Sequence, residues 1–318
     1  MSRRIEPGRG EWAVRTEALT RHFGAVRAVE QLTLEVPTGT IFGFLGPNGA
    51  GKTTTIRLLL GLIAPTAGRA AVLGYDTRVQ ADAIRCNAGA LLEYPGIYER
   101  LSAEDNLEFY GRAWRLPGAE RRARIKELLV HMDLWERRRD SPTLWSRGMR
   151  QKLALARVLL HRPSIIFLDE PSAGLDPEGA VALGESLLAL ARREGVTVFL
   201  TTHNLGEAER LCDQLGIIRD GHLLTVGSPD EIRARAGGPR AEVRGRGFSA
   251  PLLERLGEQP GVLRADADAG CVRLELRDGA QVASLVRLLV TGGAEVEEVQ
   301  RYRPSLEDAY LALVSAEP

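Results

Sequence analysis

The stretch Gly46-Pro47-Asn48-Gly49-Ala50-Gly51-Lys52-Thr53-Thr54 decides the fold of this chain. It matches the pattern G-x-x-x-x-G-K-[ST], in which glycines let successive backbone N–H groups point at phosphate oxygens. Lys52 can reach the β- and γ-phosphates of a nucleotide, and the hydroxyl of Thr53 can be a ligand of Mg²⁺. The pattern predicts a phosphate-binding loop, and the alternative is a glycine-rich turn that binds nothing.

The flanking sequence favours the binding loop. Residues 39–45 are predicted to form a buried strand, and residues 54–62 are predicted to form the first turns of a helix with an apolar face. A helix that begins at the loop adds partial positive charge where the phosphates would lie. This strand–loop–helix order predicts an α/β fold with a nucleotide site at its centre.

Composition narrows the class of protein. The chain has 318 residues, which is enough for two domains, and its 44% hydrophobic and 26% charged content is typical of soluble globular proteins. The formal net charge of zero does not suggest a nucleic-acid binder. The only lysines are Lys52, Lys126 and Lys152, so a lysine at the phosphate loop is informative.

Cysteine usage and hydropathy predict the compartment. Cys86, Cys212 and Cys271 are scattered without C-x-x-C spacing, which favours a reduced, cytosolic protein and no cysteine metal site. No apolar run approaches the roughly 18 residues that span a bilayer, and no apolar stretch follows the twin arginines near the N-terminus. We therefore expect a soluble protein that needs a partner for any work at a membrane.

Short strands broken by turns are predicted before the loop, in residues 12–19, 28–29 and 32–36. Phe23 lies in the first of these turns, where its ring could stack on adenine or pack into the core. After the loop helix, residues 89–92 are predicted to form a buried strand that ends at Glu93. Residues 102–139 are charged and helical in pattern, and they predict a helical insert over about 96–145.

A second helix is predicted to begin at Ser146. Ser146 is a favourable N-cap, and Ser146 with Gly148 at a helix start could hold an anion or only cap its own helix. Farther along, a buried strand at 165–168 is followed directly by Asp169 and Glu170. Open α/β sheets place their ligands at such strand ends, where an acid pair needs a cation or a proton-transfer role.

One more buried strand at 196–200 is followed by Thr201, Thr202 and His203. A lone histidine is usually structural, but one at a strand tip could contact a γ-phosphate. The stretch 236–240, Ala-Gly-Gly-Pro-Arg, predicts a domain boundary. Beyond it the pattern resembles a βαββαβ unit without a phosphate or metal motif.

The ordered motifs resemble the ATP-binding subunit of an ABC transporter. Residues 46–54 match the phosphate loop of that family, and Leu168-Asp169-Glu170-Pro171 matches its second nucleotide motif. Ala173-Gly174-Leu175-Asp176 matches its D-loop, His203 its switch histidine and Phe23 its adenine-stacking aromatic residue. The resemblance covers residues 12 to about 230.

Two motifs depart from the commonest family form. The signature L-S-G-G-Q reads Trp145-Ser146-Arg147-Gly148-Met149 here, and the Q-loop position holds Glu93. Both variants, and the tail around residues 304–311, resemble the exporter branch that works with ABC-2-type permeases, similar to the daunorubicin-resistance ATPases. A carboxylate at position 93 can still be a ligand of Mg²⁺.

The resemblance implies a fold: a P-loop NTPase core with a mostly parallel sheet, an antiparallel β subdomain and a helical insert, plus a small α+β (ferredoxin-like) domain. The ATP-binding domain is expected over 11–235 and the C-terminal domain over 240–315, where dimer support and regulation are both open. ATP and Mg²⁺ are the expected ligands. The expected partners are a second copy and an integral-membrane permease, and no nucleic acid is expected.

The resemblance also implies site roles. Phe23 and residues 46–54 would hold ATP, Thr53, Asp169 and Glu93 would serve Mg²⁺, and Glu170 and His203 would be catalytic. Ser146 and Gly148 would act on the nucleotide of the other subunit, and Asp176 belongs to the D-loop. The protein would then work on the cytoplasmic face of the membrane, powering export of a drug, antibiotic or lipid-like substrate.

The sequence leaves two other functions open. Related ATPases act in translation or DNA repair, but those usually carry two nucleotide domains, long coiled coils or zinc cysteines, which this sequence does not show. A non-catalytic nucleotide sensor would need Glu170 or Lys52 replaced, and both are present.

Overall fold

The computed structural model describes residues 11–235, 237–268, 270–277, 279–302 and 304–315. The tail predicted for residues 1–10, and Ala236 of the predicted linker, lie outside these residues. The chain divides into two compact units, one up to Pro229 and one from Asp230.

The first unit begins with a long hairpin. β1 (Trp12–Phe23) and β2 (Val26–Pro37) pair antiparallel, and they join β4 (Ala67–Val72) and β5 (Tyr75–Asp76) in a sheet of order β2-β1-β4-β5. The prediction of several short strands here was wrong. Register shifts interrupt the pairing near Leu19, and Ala18 and Gln31 have positive φ angles, so bulges break the alternation without ending the strands.

A six-stranded sheet forms the centre of the first unit. Its strands are β3 (Ile41–Leu45), β6 (Ala88–Leu91), β7 (Ile165–Asp169), β8 (Thr197–Thr202), β9 (Gln214–Arg219) and β10 (His222–Gly227). The order is β10-β9-β3-β8-β7-β6, and only β10 runs antiparallel to its neighbour. This confirms the predicted parallel-sheet core.

Aromatic packing fixes the middle of this sheet. The rings of Phe42, Phe44 and Phe199 are fully buried and lie 5.2–6.3 Å apart between centroids. Strands buried on both faces are rich in bulky apolar residues, as these are. Such a sheet leaves only its strand ends available for polar chemistry.

Helices α1 (Lys52–Leu59) and α2 (Ala81–Asn87) connect the strands of the first half. The insert contains α3 (Ala103–Ala113), α4 (Gly118–His131) and α5 (Arg147–Leu159), with 3₁₀ turns at Trp135–Arg137 and Pro142–Leu144. The predicted helical stretch 102–139 is therefore two helices and a turn. Ser102 caps α3 through the amide of Asp105, as the capping pattern predicts.

Two helices follow the second nucleotide motif. α6 (Pro177–Glu194) was not predicted, although Asp176 as N-cap, Pro177 at the first position and Gly195 as C-cap mark its ends. α7 (Leu205–Leu211) follows β8 and is capped by Asn204. α8 (Pro229–Arg235) lies at the boundary of the two units. No helix among the described residues is long and apolar enough to cross a membrane.

The second unit is a four-stranded antiparallel sheet with helices. Its order along the chain is β11 (Arg240–Arg246), α9 (Ala250–Gly257), β12 (Val262–Asp268), β13 (Cys271–Leu276), α10 (Val282–Thr291), β14 (Glu295–Tyr302) and α11 (Leu306–Ser315). The strand order β12-β13-β11-β14 matches the predicted ferredoxin-like βαββαβ arrangement. Val243 and Leu274 pack against Leu256 of α9 and Leu289 of α10.

Candidate active site

A cavity of about 720 Å³ lies at the carboxyl end of β3. It contains most of the phosphate loop and the tip of the β1–β2 hairpin, and it also reaches the ends of β6 and β7. Its lining residues are Ala25, Val26, Arg27, Ala28, Pro47, Asn48, Gly49, Gly51, Lys52, Thr53, Thr54, Glu93, Asp169, Glu170 and Asp220. The structure thus brings most of the predicted ATP-binding and metal residues to one place.

The phosphate loop is held tightly by its own backbone. Gly51 has a φ of 104°, and a Cβ there would stand 2.2 Å from the carbonyl oxygen of Ala28, so only glycine fits. Lys52 begins α1 and is almost completely buried. Its Nζ donates to the carbonyl of Gly46 at 2.6 Å and lies 3.2 Å from Oε1 of Glu170.

A hydroxyl–carboxylate–hydroxyl chain connects α1 to two strand ends. Thr53 Oγ1 donates to Asp169 Oδ2 at 2.6 Å, and Thr201 Oγ1 donates to Asp169 Oδ1 at 2.5 Å. A hydroxyl and a carboxylate beside a phosphate loop are the oxygen ligands that Mg²⁺ prefers. The donor set at Thr53 and Asp169 therefore fits Mg²⁺.

Glu170 has an unusual backbone conformation. Its φ of 49° lies in the left-handed region, which costs energy for a residue other than glycine. Its amide donates to both the carbonyl and the hydroxyl oxygen of Thr201, at 3.2 and 3.0 Å, and these bonds hold the strained turn. The carboxylate is thereby directed to the rim of the cavity.

His203 meets Glu170 at this rim. His203 Nδ1 lies 2.8 Å from Glu170 Oε2, while 64% of the histidine side chain is exposed. With an ionised Glu170 the shared proton belongs to Nδ1, which leaves Nε2 directed away from the carboxylate. The two predicted catalytic residues are therefore one hydrogen-bonded pair, although they come from different strands.

Glu93 and Phe23 lie farther out. Glu93 is exposed and lines the same cavity, but no hydrogen bond joins it to Thr53 or Asp169 among the described residues. Phe23 ends β1, is 46% exposed and is absent from the cavity lining. The guanidinium of Arg21 lies 4.4 Å from its ring centroid and covers one face of the ring.

The signature residues lie outside this cavity. Ser146 is exposed and caps α5 by accepting from the amide of Met149 at 3.2 Å. The guanidinium of Arg147 covers the D-loop, since a Cβ on Gly174 would be 2.2 Å from one of its nitrogens. Asp176 caps α6 through the amide of Gly179 at 2.9 Å.

Sequence reasoning gave no role to several polar residues near the site. Thr201 supports both Asp169 and Glu170, and Arg27 reaches the cavity from the hairpin. Glu207 is buried and accepts hydrogen bonds from the hydroxyls of Ser172 and Thr202. Only the run of hydroxyl residues at the tip of β8 signalled such a role in advance.

The fold and the cavity define a phosphate-loop ATPase with a parallel core sheet. The ABC transporter family model matches residues 29–173, and the model for the C-terminal domain of DrrA1-3-like ATP-binding proteins matches residues 227–314. The chain belongs to the ABC transporter ATP-binding proteins, in the branch that carries the DrrA-like C-terminal domain. It is thus a nucleotide-binding ATPase subunit.

Two relatives align over nearly the whole chain. The daunorubicin resistance ATP-binding protein DrrA3 of Streptomyces coeruleorubidus is 37% identical over 95% of both chains. The bacitracin transport ATP-binding protein BcrA of Bacillus licheniformis is 33% identical over 95% of this chain and 97% of its own. These relatives are transport and resistance proteins, so the alternative in translation or DNA repair is not supported.

Solved structures of ATP-binding cassettes match about 70% of the chain. The ATP-binding subunit of an ABC transporter is similar with a TM-score of 0.63 and 32% identity, over 70% of this chain and 92% of its own. A dimeric ATP-binding cassette bound to ADP and phosphate is similar with a TM-score of 0.61 and 25% identity, over 68% and 98% of the two chains.

Proposed function

We propose that this ATPase subunit hydrolyses ATP as a head-to-tail pair. Phe23 and residues 46–54 of one copy would hold the nucleotide, while Ser146 and Gly148 of the other copy would cap the γ-phosphate. Two features support this pairing: Ser146 is exposed, and neither signature residue lines the cavity of its own chain. A similar cassette is dimeric with ADP and phosphate bound.

The contact between Glu170 and His203 carries the proposed catalytic roles. Glu170 would orient and deprotonate the attacking water at the rim of the cavity, while His203 would hold that carboxylate and contact the γ-phosphate. Lys52 and the loop amides would stabilise charge on the phosphates, so positioning and electrostatics supply most of the rate.

Thr53 and Asp169 would hold Mg²⁺, and Glu93 could reach it through water. The metal would neutralise negative charge on the β- and γ-phosphates. Thr201 would orient the Asp169 carboxylate, since it donates to the oxygen that Thr53 does not use.

The motion of this site would pass to a membrane permease through the insert. Arg157 of α5 donates to the carbonyls of Ala90 and Pro95, at 3.1 Å each, so the signature helix is tied to both sides of Glu93. Burial lowers the pKa of the Arg157 guanidinium. Tyr98 and Phe109, whose rings lie 4.9 Å apart and are about half exposed, give this region an apolar surface.

The relatives suggest the cargo and the location. Their printed names include daunorubicin resistance, bacitracin transport and Nod factor export. By analogy, the subunit would lie on the cytoplasmic face of the cell membrane and power export of a drug, antibiotic or lipid-like molecule through a separate permease. ATP binding would close the pair and hydrolysis would reopen it.

The variant Glu170→Gln tests the proposed catalytic role of Glu170. We expect the ATPase rate to fall by about 10²–10⁴-fold, the range for loss of a general base, while ATP binding persists. The variant should form an ATP-dependent dimer on size-exclusion chromatography, and adding Ser146→Ala should weaken that dimer. Glu185→Gln, an exposed change on α6, is the control. Hydrolysis at the parent rate by Glu170→Gln would refute the role of Glu170.

A further inference from the structure

A buried acidic side chain bonds to two residues that are close in sequence to Glu170 and His203. Glu207, in the first turn of α7, is 6% exposed. Its Oε2 accepts from Ser172 Oγ at 2.7 Å and from Thr202 Oγ1 at 2.9 Å. Its buried Oε1 finds no hydrogen-bond partner among the residues that the structure describes. Burying a carboxylate with two neutral donors is costly, so this arrangement needs a reason beyond stability.

Helix capping does not supply that reason. Asn204 caps α7 by accepting from the amide of Glu207, which places a glutamate three residues after the cap as in a capping box. A capping box would direct the Glu207 carboxylate to the amide of Asn204. That amide instead donates to Thr202 Oγ1 at 3.0 Å, so the carboxylate is not used for capping.

The two partners of Glu207 flank the two catalytic residues. Ser172 lies two positions after Glu170, and Thr202 lies immediately before His203. One carboxylate oxygen therefore ties the turn that follows β7 to the end of β8. The hydrogen bond between Glu170 and His203 spans the same gap from the other side.

The turn after Glu170 is also held by the signature helix. Gln151 of α5 donates through Nε2 to the carbonyl of Pro171 at 2.7 Å. Pro171 is thus hydrogen-bonded to α5, and Ser172 is hydrogen-bonded to α7. A turn fixed in this way can keep the left-handed conformation of Glu170 without relaxing.

We propose that Glu207 is a positioning residue that sets the geometry between Glu170 and His203. It is not among the residues that line the cavity, and it acts by holding Ser172 and Thr202 at a fixed separation. The inference rests on the catalytic roles proposed for Glu170 and His203. A shift of about 1 Å in such a pair can cost as much as 10²-fold in rate.

The principal test compares Glu207→Ala with Glu207→Gln in steady-state ATP hydrolysis by the full chain. We expect Glu207→Ala to lower kcat by tenfold or more, with KM for ATP within about twofold, because both ties are lost. Glu207→Gln keeps an amide oxygen that can accept from both hydroxyls, so it should retain kcat within about threefold. Glu185→Ala, an exposed change on α6, should behave like the parent.

A second variant keeps the proposal testable if Glu207→Ala does not fold. Ser172→Ala removes one hydroxyl from a partly exposed turn and should lower kcat by about threefold to tenfold, again at unchanged KM. If both changes act through the same tie, the double variant should be no slower than Glu207→Ala alone. Purely structural damage would instead add and would not be rescued by glutamine.

Measuring Glu170→Gln in parallel separates a failure of the catalytic role of Glu170 from a failure of the positioning role of Glu207. If Glu170→Gln keeps the parent rate, the catalytic assignment fails, and this inference fails with it. If Glu170→Gln is inactive while Glu207→Ala and Ser172→Ala keep the parent kcat, only the positioning role is overturned. A rise in KM with unchanged kcat would also overturn it, because Glu207 would then serve nucleotide binding.

Discussion

Two of the three sheets formed by the described residues place polar residues in opposite ways. In the six-stranded sheet, β3, β7 and β8 are buried along their length, and Asp169 and Thr201 lie at strand ends. In the four-stranded sheet of the second unit, charges alternate with apolar residues along β11 and β13. Arg273, for example, lies 3.2 Å from Glu242, and the two side chains are 62% and 36% exposed.

The difference follows from how many faces of each sheet are covered. A sheet buried on both faces can offer chemistry only where its strands end, and there the polar groups of different strands converge. A sheet with one open face spreads its polar groups over a surface, where exposed ion pairs contribute little energy. The first arrangement concentrates function, whereas the apolar face of the second contributes mainly stability.

The strongest test of this contrast is Leu274→Ala in β13. Leu274 is 1% exposed and packs in the core of the second unit. We expect a loss of about 2–5 kcal/mol in the free energy of unfolding of that unit, as for other buried leucines. Denaturant unfolding of the full chain would measure it. Leu274→Met, which conserves volume, should cost less than about 1.5 kcal/mol.

The contrast also requires that the ATPase site be insensitive to this change. The KM for ATP of folded Leu274→Ala should match that of the parent within about twofold, since every described residue that lines the cavity belongs to the first unit. A large rise in KM would show that the sheet of the second unit contributes to nucleotide binding. That result would contradict the contrast between the two sheets.

The sequence predicted best the local structure of motifs whose residues are close together in the chain. The strand–loop–helix order around residues 46–54, the acids at the end of β7 and the N-caps Ser102 and Ser146 depend on neighbours within a few residues, so the local sequence predicts their geometry. The parallel core was predictable because buried strands are apolar runs. The hairpin was predicted in fragments, because the bulges near Ala18 and Gln31 interrupt a pattern that the strands themselves continue through.

Contacts between distant segments were not predictable from one sequence. Thr201 and Asp169 are 32 positions apart, and Ser172 and Glu207 are 35 apart. Nothing local distinguishes a threonine that supports a carboxylate from one that fills a strand. Strand order decides which tips become neighbours, and the pairing of β7 with β8 is a property of the sheet.

Thr201→Val tests the convergence of strand ends with an intermediate effect. It removes a hydroxyl that supports both Asp169 and the Glu170 turn while conserving shape. We expect kcat to fall by about tenfold to a hundredfold, which corresponds to roughly 1.4–2.7 kcal/mol in the activation barrier.

Its matched control is Thr225→Val in β10. Thr225 is also buried, but its hydroxyl has no hydrogen-bond partner within the described part of the chain. The same chemical change there should leave kcat unchanged and leave stability equal or slightly higher, since an unsatisfied polar group is removed. Equal losses in both variants, measured by ATP hydrolysis, would show that strand ends have no special role.

The smallest expected effects are changes in the free energy of unfolding at two ion pairs. Glu108 of α3 receives two hydrogen bonds from Arg121, at 2.7 and 2.8 Å, and both side chains are less than a quarter exposed. Glu108→Gln should lower the free energy of unfolding by about 1 kcal/mol at pH 7. Glu242→Gln, in the exposed pair on the open face of the second sheet, should change it by less than about 0.5 kcal/mol.

Acid titration distinguishes the two ion pairs further. The hydrogen bonds from Arg121 and then Arg112 hold the pKa of the Glu108 carboxyl below its ordinary value of 4.5. Because the folded state has the lower pKa, this contribution is fully present above pH 4.5 and is lost as the pH falls through the folded value. The difference between the parent and Glu108→Gln, measured by urea unfolding, should therefore shrink below pH 4.5. If it instead stayed constant with pH, packing of the glutamate, not its charge, would be what holds α3 to α4.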